Sequence, residues 1–150
     1  MKLSFDPLHE SDIPAIRWVF EDTDGFGGFN SEHIRAFLSE KHNIALIAKL
    51  DGAVIGLVYG YSLTRMDGTS PQFFIYSVDI HPDYQDKGYG GRFMQWVVDW
   101  ARDNGFIESF VITDKGNPRA CRVYEKAGMV RGMTGGEPDD NRVYEVHYKE

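Results

Sequence analysis

The stretch Gln85-Asp86-Lys87-Gly88-Tyr89-Gly90 constrains the fold more than any other part of this chain. A β-rich run from Phe73 to Ile80 leads into it, and an amphipathic helix from about Gly91 to Arg102 leaves it. In that helix Phe93, Trp96, Val97, Trp100 and Ala101 recur at i, i+3, i+4, i+7 and i+8. The spacing lays one apolar stripe on a sheet. Strand, glycine turn and helix in that order build an anion site. Glycine lets the backbone come close to a ligand, and the unpaired N–H groups of a helix start point at negative charge.

The flanking pattern predicts a mixed sheet. Residues 2–6 read as a short first strand. Ser11 or Asp12 is placed to cap a helix with Pro14 in its first turn, and Ile13, Ile16 and Phe20 give its apolar face. Asn30-Ser31 opens a second helix with Ile34, Phe37 and Leu38 on one side. The glycine- and acid-rich segment between them, Glu21 to Phe29, reads as a mobile loop. Asn43–Leu50 and Ala53–Thr64 are strands joined by Asp51-Gly52, a two-residue hairpin signal. Gln72 to Ile80 is the third long strand, antiparallel to its predecessor. Beyond the helix that Asn104-Gly105 ends, Phe106 to Thr113 is a strand parallel to the preceding one. Asn117-Pro118 starts a last helix that Gly128 stops. Met129–Thr134 and Arg142–Tyr148 pair as a final hairpin.

Composition narrows the class. At 150 residues, with 42% hydrophobic and 26% charged residues, the chain reads as one domain over 1–150 with an ordinary core. A net charge of -7 argues against a nucleic-acid partner, which needs clustered lysine and arginine, and suits a cationic one. One cysteine, Cys121, excludes a disulfide framework and a multi-cysteine metal site, so no metal is expected. No apolar run is long enough to span a membrane, and Met1 to Pro7 lacks a signal-peptide core, so a cytoplasmic location is expected.

Three phosphate loops compete for the glycine turn. A Walker A loop needs Gly-x-x-x-x-Gly-Lys-Ser/Thr, and no stretch fits. A dinucleotide loop needs Gly-x-Gly-x-x-Gly directly after a strand. Here Phe93 stands at the third small position and His81 to Lys87 intervene, although Glu108 lies where a ribose-binding acid would. The third candidate fits twice. Ile80 to Gly90 resembles the acyl-CoA motif Gln/Arg-x-x-Gly-x-Gly/Ala of the GNAT superfamily of N-acetyltransferases. Asn117-Pro118-Arg119-Ala120-Cys121-Arg122-Val123-Tyr124-Glu125-Lys126-Ala127-Gly128-Met129 resembles that family's Asn-x-x-Ala-x-x-x-Tyr-x-x-x-Gly-Phe, with Met129 for the final phenylalanine. The element order β-α-α-β-β-β-α-β-α-β-β matches across nearly the whole chain. Within the family, Ile55 to Ile80 is loosely similar to the aminoglycoside 3-N-acetyltransferase subgroup.

The resemblance implies an α/β (α+β) fold with a central mixed, twisted sheet of about seven strands flanked by four helices. It implies transfer of an acetyl group from acetyl-CoA to a primary amine in a ternary complex. Backbone N–H groups of Gln85, Asp86, Lys87, Gly88, Tyr89, Gly90 and Gly91 would hold the coenzyme A pyrophosphate. The backbone at Val78 and Ile80, on a strand that splays from its neighbour, would hold the pantetheine arm with Asn117, which is also placed as a helix cap. Tyr124 would protonate the departing thiolate.

The base is less determined. Many relatives carry a glutamate where this chain has Phe74. Asp79 is the nearest acid, yet alternation points it away from Val78 and Ile80; a water relay to other carboxylates is an equal alternative. His81 reads as a loop residue and Cys121 as a packed one. Glu21, Asp22, Asp24 and the Glu137-Pro138-Asp139-Asp140 turn offer carboxylates to an amine acceptor, with a cationic small molecule among the candidates. The missing glutamate also leaves open a non-catalytic acyl-CoA sensor or interaction module, and transfer of a longer acyl chain is a third reading. A homodimer is compatible with all of these.

Overall fold

The computed structural model describes residues 1–21, 27–114, 116–132 and 141–148. Asp22, Asp24 and the Glu137–Asp140 turn therefore lie outside the described residues, as does most of the predicted loop after Glu21.

A seven-stranded mixed sheet runs in the order β1-β2-β3-β4-β5-β7-β6. Its strands are β1 (Leu3–Pro7), β2 (Asn43–Leu50), β3 (Ala53–Leu63), β4 (Gln72–Ile80), β5 (Glu108–Asp114), β6 (Val130–Arg131) and β7 (Asn141–His147). All neighbours pair antiparallel except β4 and β5, which are parallel. The hairpin β2–β3 turns at Asp51 (φ 50) and Gly52 (φ 86), the left-handed pair that a two-residue turn requires. The final hairpin exists, but its second strand β7 inserts between β5 and β6.

Four helices cover the sheet. Helices α1 (Arg17–Glu21) and α2 (Ser31–Ser39) lie on one face; α3 (Tyr89–Asp103) and α4 (Pro118–Lys126) lie on the other. Asn30 caps α2 by accepting from the N–H groups of Glu32 and His33 at 2.9 and 3.1 Å. The first helix differs from its expected start. Asp12 does not cap it; its carboxylate accepts the His9 N–H at 3.1 Å, and residues Glu10–Ile16 form a tighter 3-10 turn around Pro14 before α1 begins. Pro14 lacks the N–H that a regular helix would use there.

The two faces have separate cores. On the α3/α4 face Phe73, Ile75, Val58 and Leu46 pack under Phe93, Met94, Val97 and Ala101, all essentially buried. On the α1/α2 face Ala45, Ile47, Val54 and Leu57 pack under Ile13, Ile16, Val19 and Ile34. The α1/α2 cover ends over β3, and beyond it Tyr76 is 56% exposed. Among the described residues no helix is long and apolar enough to cross a membrane.

Candidate active site

Two irregularities at the centre of the sheet create the site. The β4–β5 ladder runs only from Gln72↔Glu108 to Ile75↔Val111, although β4 continues to Ile80 and β5 to Asp114. The strands therefore part after four pairs and leave a V-shaped opening. The second irregularity is a bulge in β4. Tyr59 pairs with Ser77 while Gly60 pairs with Ile75, so Tyr76 is an extra residue. A bulge bends its strand, sharpens the twist and reverses the facing of everything beyond it. Phe73 and Ile75 face α3 and α4, and so do Val78 and Ile80 after the bulge. Asp79, opposite Leu57, faces the other way.

Gly60 makes the bulge possible. A Cβ built there would lie 2.0 Å from the Phe74 carbonyl oxygen. Only a residue with no side chain lets the two backbones come so close.

On the α3/α4 side a cleft of about 380 Å³ is lined by Val78, Ile80, Gln85, Asp86, Gly88, Gly90, Gly91, Asn117 and Tyr124, and by the basic residues Arg119, Arg122 and Lys126. Nine of the predicted site residues thus meet in one place. The side chains of Lys87 and Tyr89 turn elsewhere: Lys87 Nζ lies 5.9 Å from the centre of the Tyr84 ring, and Tyr89 packs at the edge of the core. Gly88 adopts φ 87, the left-handed conformation that starts α3. The N–H groups of Tyr89, Gly90 and Gly91 precede the first helical bond, from Arg92 N–H to the Gly88 carbonyl at 3.3 Å. They are donors for an anion at the positive end of α3. Gly90 packs against Val123 of α4, where a Cβ would come within 3.3 Å of a methyl group.

Gln85 has a role beyond its backbone. Its amide donates to the Ile80 carbonyl at 2.9 Å and its oxygen accepts from Arg119. Asp86, at φ 61, also accepts from Arg119 at 3.1 and 3.2 Å. Arg119, Arg122 and Lys126 were not singled out from the sequence, yet their i, i+3, i+7 spacing on α4 puts three cations on one face. Asn117 accepts the Ala120 N–H at 3.2 Å, so its cap role is present alongside its place in the cleft. His81 caps a short turn by accepting the Asp83 N–H at 3.1 Å, and Cys121 is buried in the core.

Tyr124 lines the cleft, 5% exposed, with its ring 5.6 Å from that of Tyr144. Burial pushes its phenol well above the ordinary value, and the charge of Asp79 adds to the shift. The two groups thus lie on opposite faces of the sheet, near enough for the charge of Asp79 to act on the phenol. Asp79 itself is raised above the usual carboxylate range by burial, against a hydrogen bond from Ser77 Oγ at 2.9 Å that favours the charged form.

A mixed seven-stranded sheet whose parallel pair opens beside a glycine-started helix is an acyltransferase fold. The chain belongs to the acetyltransferase (GNAT) family, whose pattern matches residues 12–129. It is 27% identical over 122 residues to the N-alpha-acetyltransferase RimI of Mycobacterium tuberculosis, covering 81% of this chain and 70% of that protein. Among solved structures, a chimera of the Vibrio cholerae spermidine N-acetyltransferase and hSSAT superposes with a TM-score of 0.75 at 16% identity, covering 98% and 96% of the two chains. An aminoglycoside acetyltransferase from an uncultured soil metagenomic sample, solved with sisomicin, gives 0.72 at 22% identity over 99% and 95%.

Proposed function

We propose that the protein is an N-acetyltransferase that moves an acetyl group from acetyl-CoA to a primary amine by direct attack. The carrying observation is the opening between β4 and β5, which a glycine loop, three cations and Tyr124 flank on the α3/α4 side. Acetyl-CoA supplies the acyl group as a thioester. The donors fit its phosphates: loop N–H groups of Asp86 to Gly91, the positive end of α3, and Arg119, Arg122 and Lys126, whereas the Gln85 N–H is taken by the Pro82 carbonyl at 3.5 Å. The free β4 edge at Val78 and Ile80, with Asn117, fits an amide-bearing arm that pairs like a strand.

Asp79 accepts the proton that the amine loses as its nitrogen attacks the carbonyl carbon. Burial raises the basicity of this carboxylate, which suits it to that task. Tyr124 holds its proton throughout the neutral range and donates it to the sulfur as the carbon–sulfur bond breaks. The RimI relative acts on an α-amine, and the spermidine and aminoglycoside enzymes act on other amines. All three names support an amine acceptor.

Thiol release from acetyl-CoA with a panel of amines tests this reading. Tyr124→Phe is expected to lower kcat by about 10²–10⁴-fold with acetyl-CoA affinity little changed. Absence of thiol release with every amine, from a protein that binds coenzyme A, would instead support a sensor.

A further inference from the structure

Opposite the cofactor cleft, the sheet carries a patch that the acetyl-transfer reading does not use. Tyr59 and Tyr61 of β3 and Phe74 and Tyr76 of β4 project from the α1/α2 face. Their rings form one continuous cluster: Tyr59–Tyr76 centroids lie 5.4 Å apart, Tyr61–Tyr76 and Phe74–Tyr76 5.9 Å, and Tyr61–Phe74 6.4 Å. Phe110 of β5 stacks on Phe74 at 4.9 Å, at the vertex of the V-shaped opening. The cluster thus lines the approach to the opening from the side on which Asp79 lies.

On this part of the face, over β4, β5 and β7, carboxylates predominate among the described residues. Register and alternation put Asp79 of β4, Glu108 and Asp114 of β5, and Glu145 of β7 on it. His147 stands between Glu108 and Glu145, at 3.1 and 3.2 Å. Among the described residues of β3 to β7 the arginines are Arg131 and Arg142, which share the α3/α4 face with Tyr144, and there is no lysine. Aromatic rings and carboxylates, with no arginine or lysine of the described strand residues on the same face, form a surface complementary to positive charge: the ring faces attract ammonium groups, and the carboxylates lower the cost of bringing a second one near.

Building on the acetyl-transfer reading, we infer that the acceptor is a small polycationic amine, with its reacting nitrogen at Asp79 and a second cationic nitrogen over the rings of Tyr59, Tyr61, Phe74 and Tyr76. Asp79 and Tyr76 are three residues apart on β4, roughly 10 Å of strand. A peptide amino terminus fits less well: it gains affinity from backbone hydrogen bonds at a strand edge, whereas this patch offers side-chain faces.

Calorimetry on coenzyme A-saturated protein tests the inference without turnover. Cadaverine and pentylamine have the same chain length and differ by one cationic nitrogen; an alanine-starting peptide is the third probe. Cadaverine is expected to bind about tenfold tighter than pentylamine and tighter than the peptide. Tyr76→Leu and Tyr61→Leu should each weaken cadaverine by about fivefold to thirtyfold with coenzyme A affinity unchanged, while Tyr76→Phe, which keeps the ring face, should retain it. Equal affinity for the two amines, tighter binding of the peptide, or leucine variants that bind cadaverine normally would overturn the inference. Failure of coenzyme A to bind in the first titration would overturn the acetyl-transfer reading, and this inference with it.

Discussion

Gly60→Ala probes the structural device on which the site depends. A Cβ at this position would stand 2.0 Å from the Phe74 carbonyl oxygen, where ordinary contacts begin at 3.4 Å. The obstacle is backbone, so no rotamer change relieves it. Either β3 or β4 must move by about 1.4 Å, the difference between those two distances. Both strands are central, and β4 carries the bulge directly beside this contact. Overpacking by a methyl group against flexible side chains costs about 1–3 kcal/mol, so a rigid obstacle belongs at about 3 kcal/mol or above. For a chain of this size that lowers Tm by roughly 6–12 °C. Gly27→Ala serves as the control, since nothing lies within 4 Å of a Cβ there. Thermal melts of the two variants, followed by acetyl-CoA calorimetry, give the comparison. A Gly60→Ala protein that melts within about 2 °C of wild type would refute the reasoning, because the bulge would then not rest on the missing Cβ.

Gly88→Ala meets no neighbour but forces a side chain into φ 87, so a loss of about 1–2 kcal/mol, or roughly 2–8 °C in Tm, is expected by differential scanning calorimetry. Arg119→Ala should weaken acetyl-CoA binding by about 1.5–3 kcal/mol, the range for a hydrogen bond to a charged group, with the loss shrinking as salt rises in a titration series. Asp79→Asn should lower turnover yet raise Tm at neutral pH. A carboxylate whose folded pKa is raised stabilises the native state fully below its unfolded pKa, near 4, and that contribution is lost as pH rises through the folded value. Asparagine does not titrate, so its advantage over wild type should appear above that window and vanish below it in melts taken across pH.

Much of the architecture was legible because single residues carry local physics. Asp51-Gly52 demanded a left-handed turn, Asn30 and Asn117 demanded helix starts, and the Phe93-to-Ala101 stripe demanded a sheet to cover. Residues of the paired glycine and tyrosine motifs line one cleft. What stayed hidden depends on pairs distant in sequence. The Arg119–Asp86 contact spans 33 residues and joins two helices' approaches. The insertion of β7 between β5 and β6 is a choice among strand neighbours that a hairpin pattern does not encode. The aromatic patch could have been noticed in the alternation of Tyr59 with Tyr61 and of Phe74 with Tyr76, but those positions read equally well as core.

The bulge at Tyr76 had no sequence signature of its own, and it decides which face of the sheet Asp79, Val78 and Ile80 take. In an unbroken strand Phe73, Ile75, Ser77 and Asp79 would share one face. Asp79 would then lie beneath α3 and α4 among apolar side chains, and Val78 and Ile80 would point at the acceptor side. One extra residue exchanges the two sets. It returns Val78 and Ile80 to the cleft under α3 and α4 and puts the carboxylate on the other face, with the tyrosines. Asp79 and Tyr124 then lie on opposite faces of the sheet beside the V-shaped opening. On the proposed reading, a proton acceptor and a proton donor would serve the two ends of one displacement from opposite sides, without sharing a cleft. Gly60 is the residue that permits this, one strand away from every group it positions.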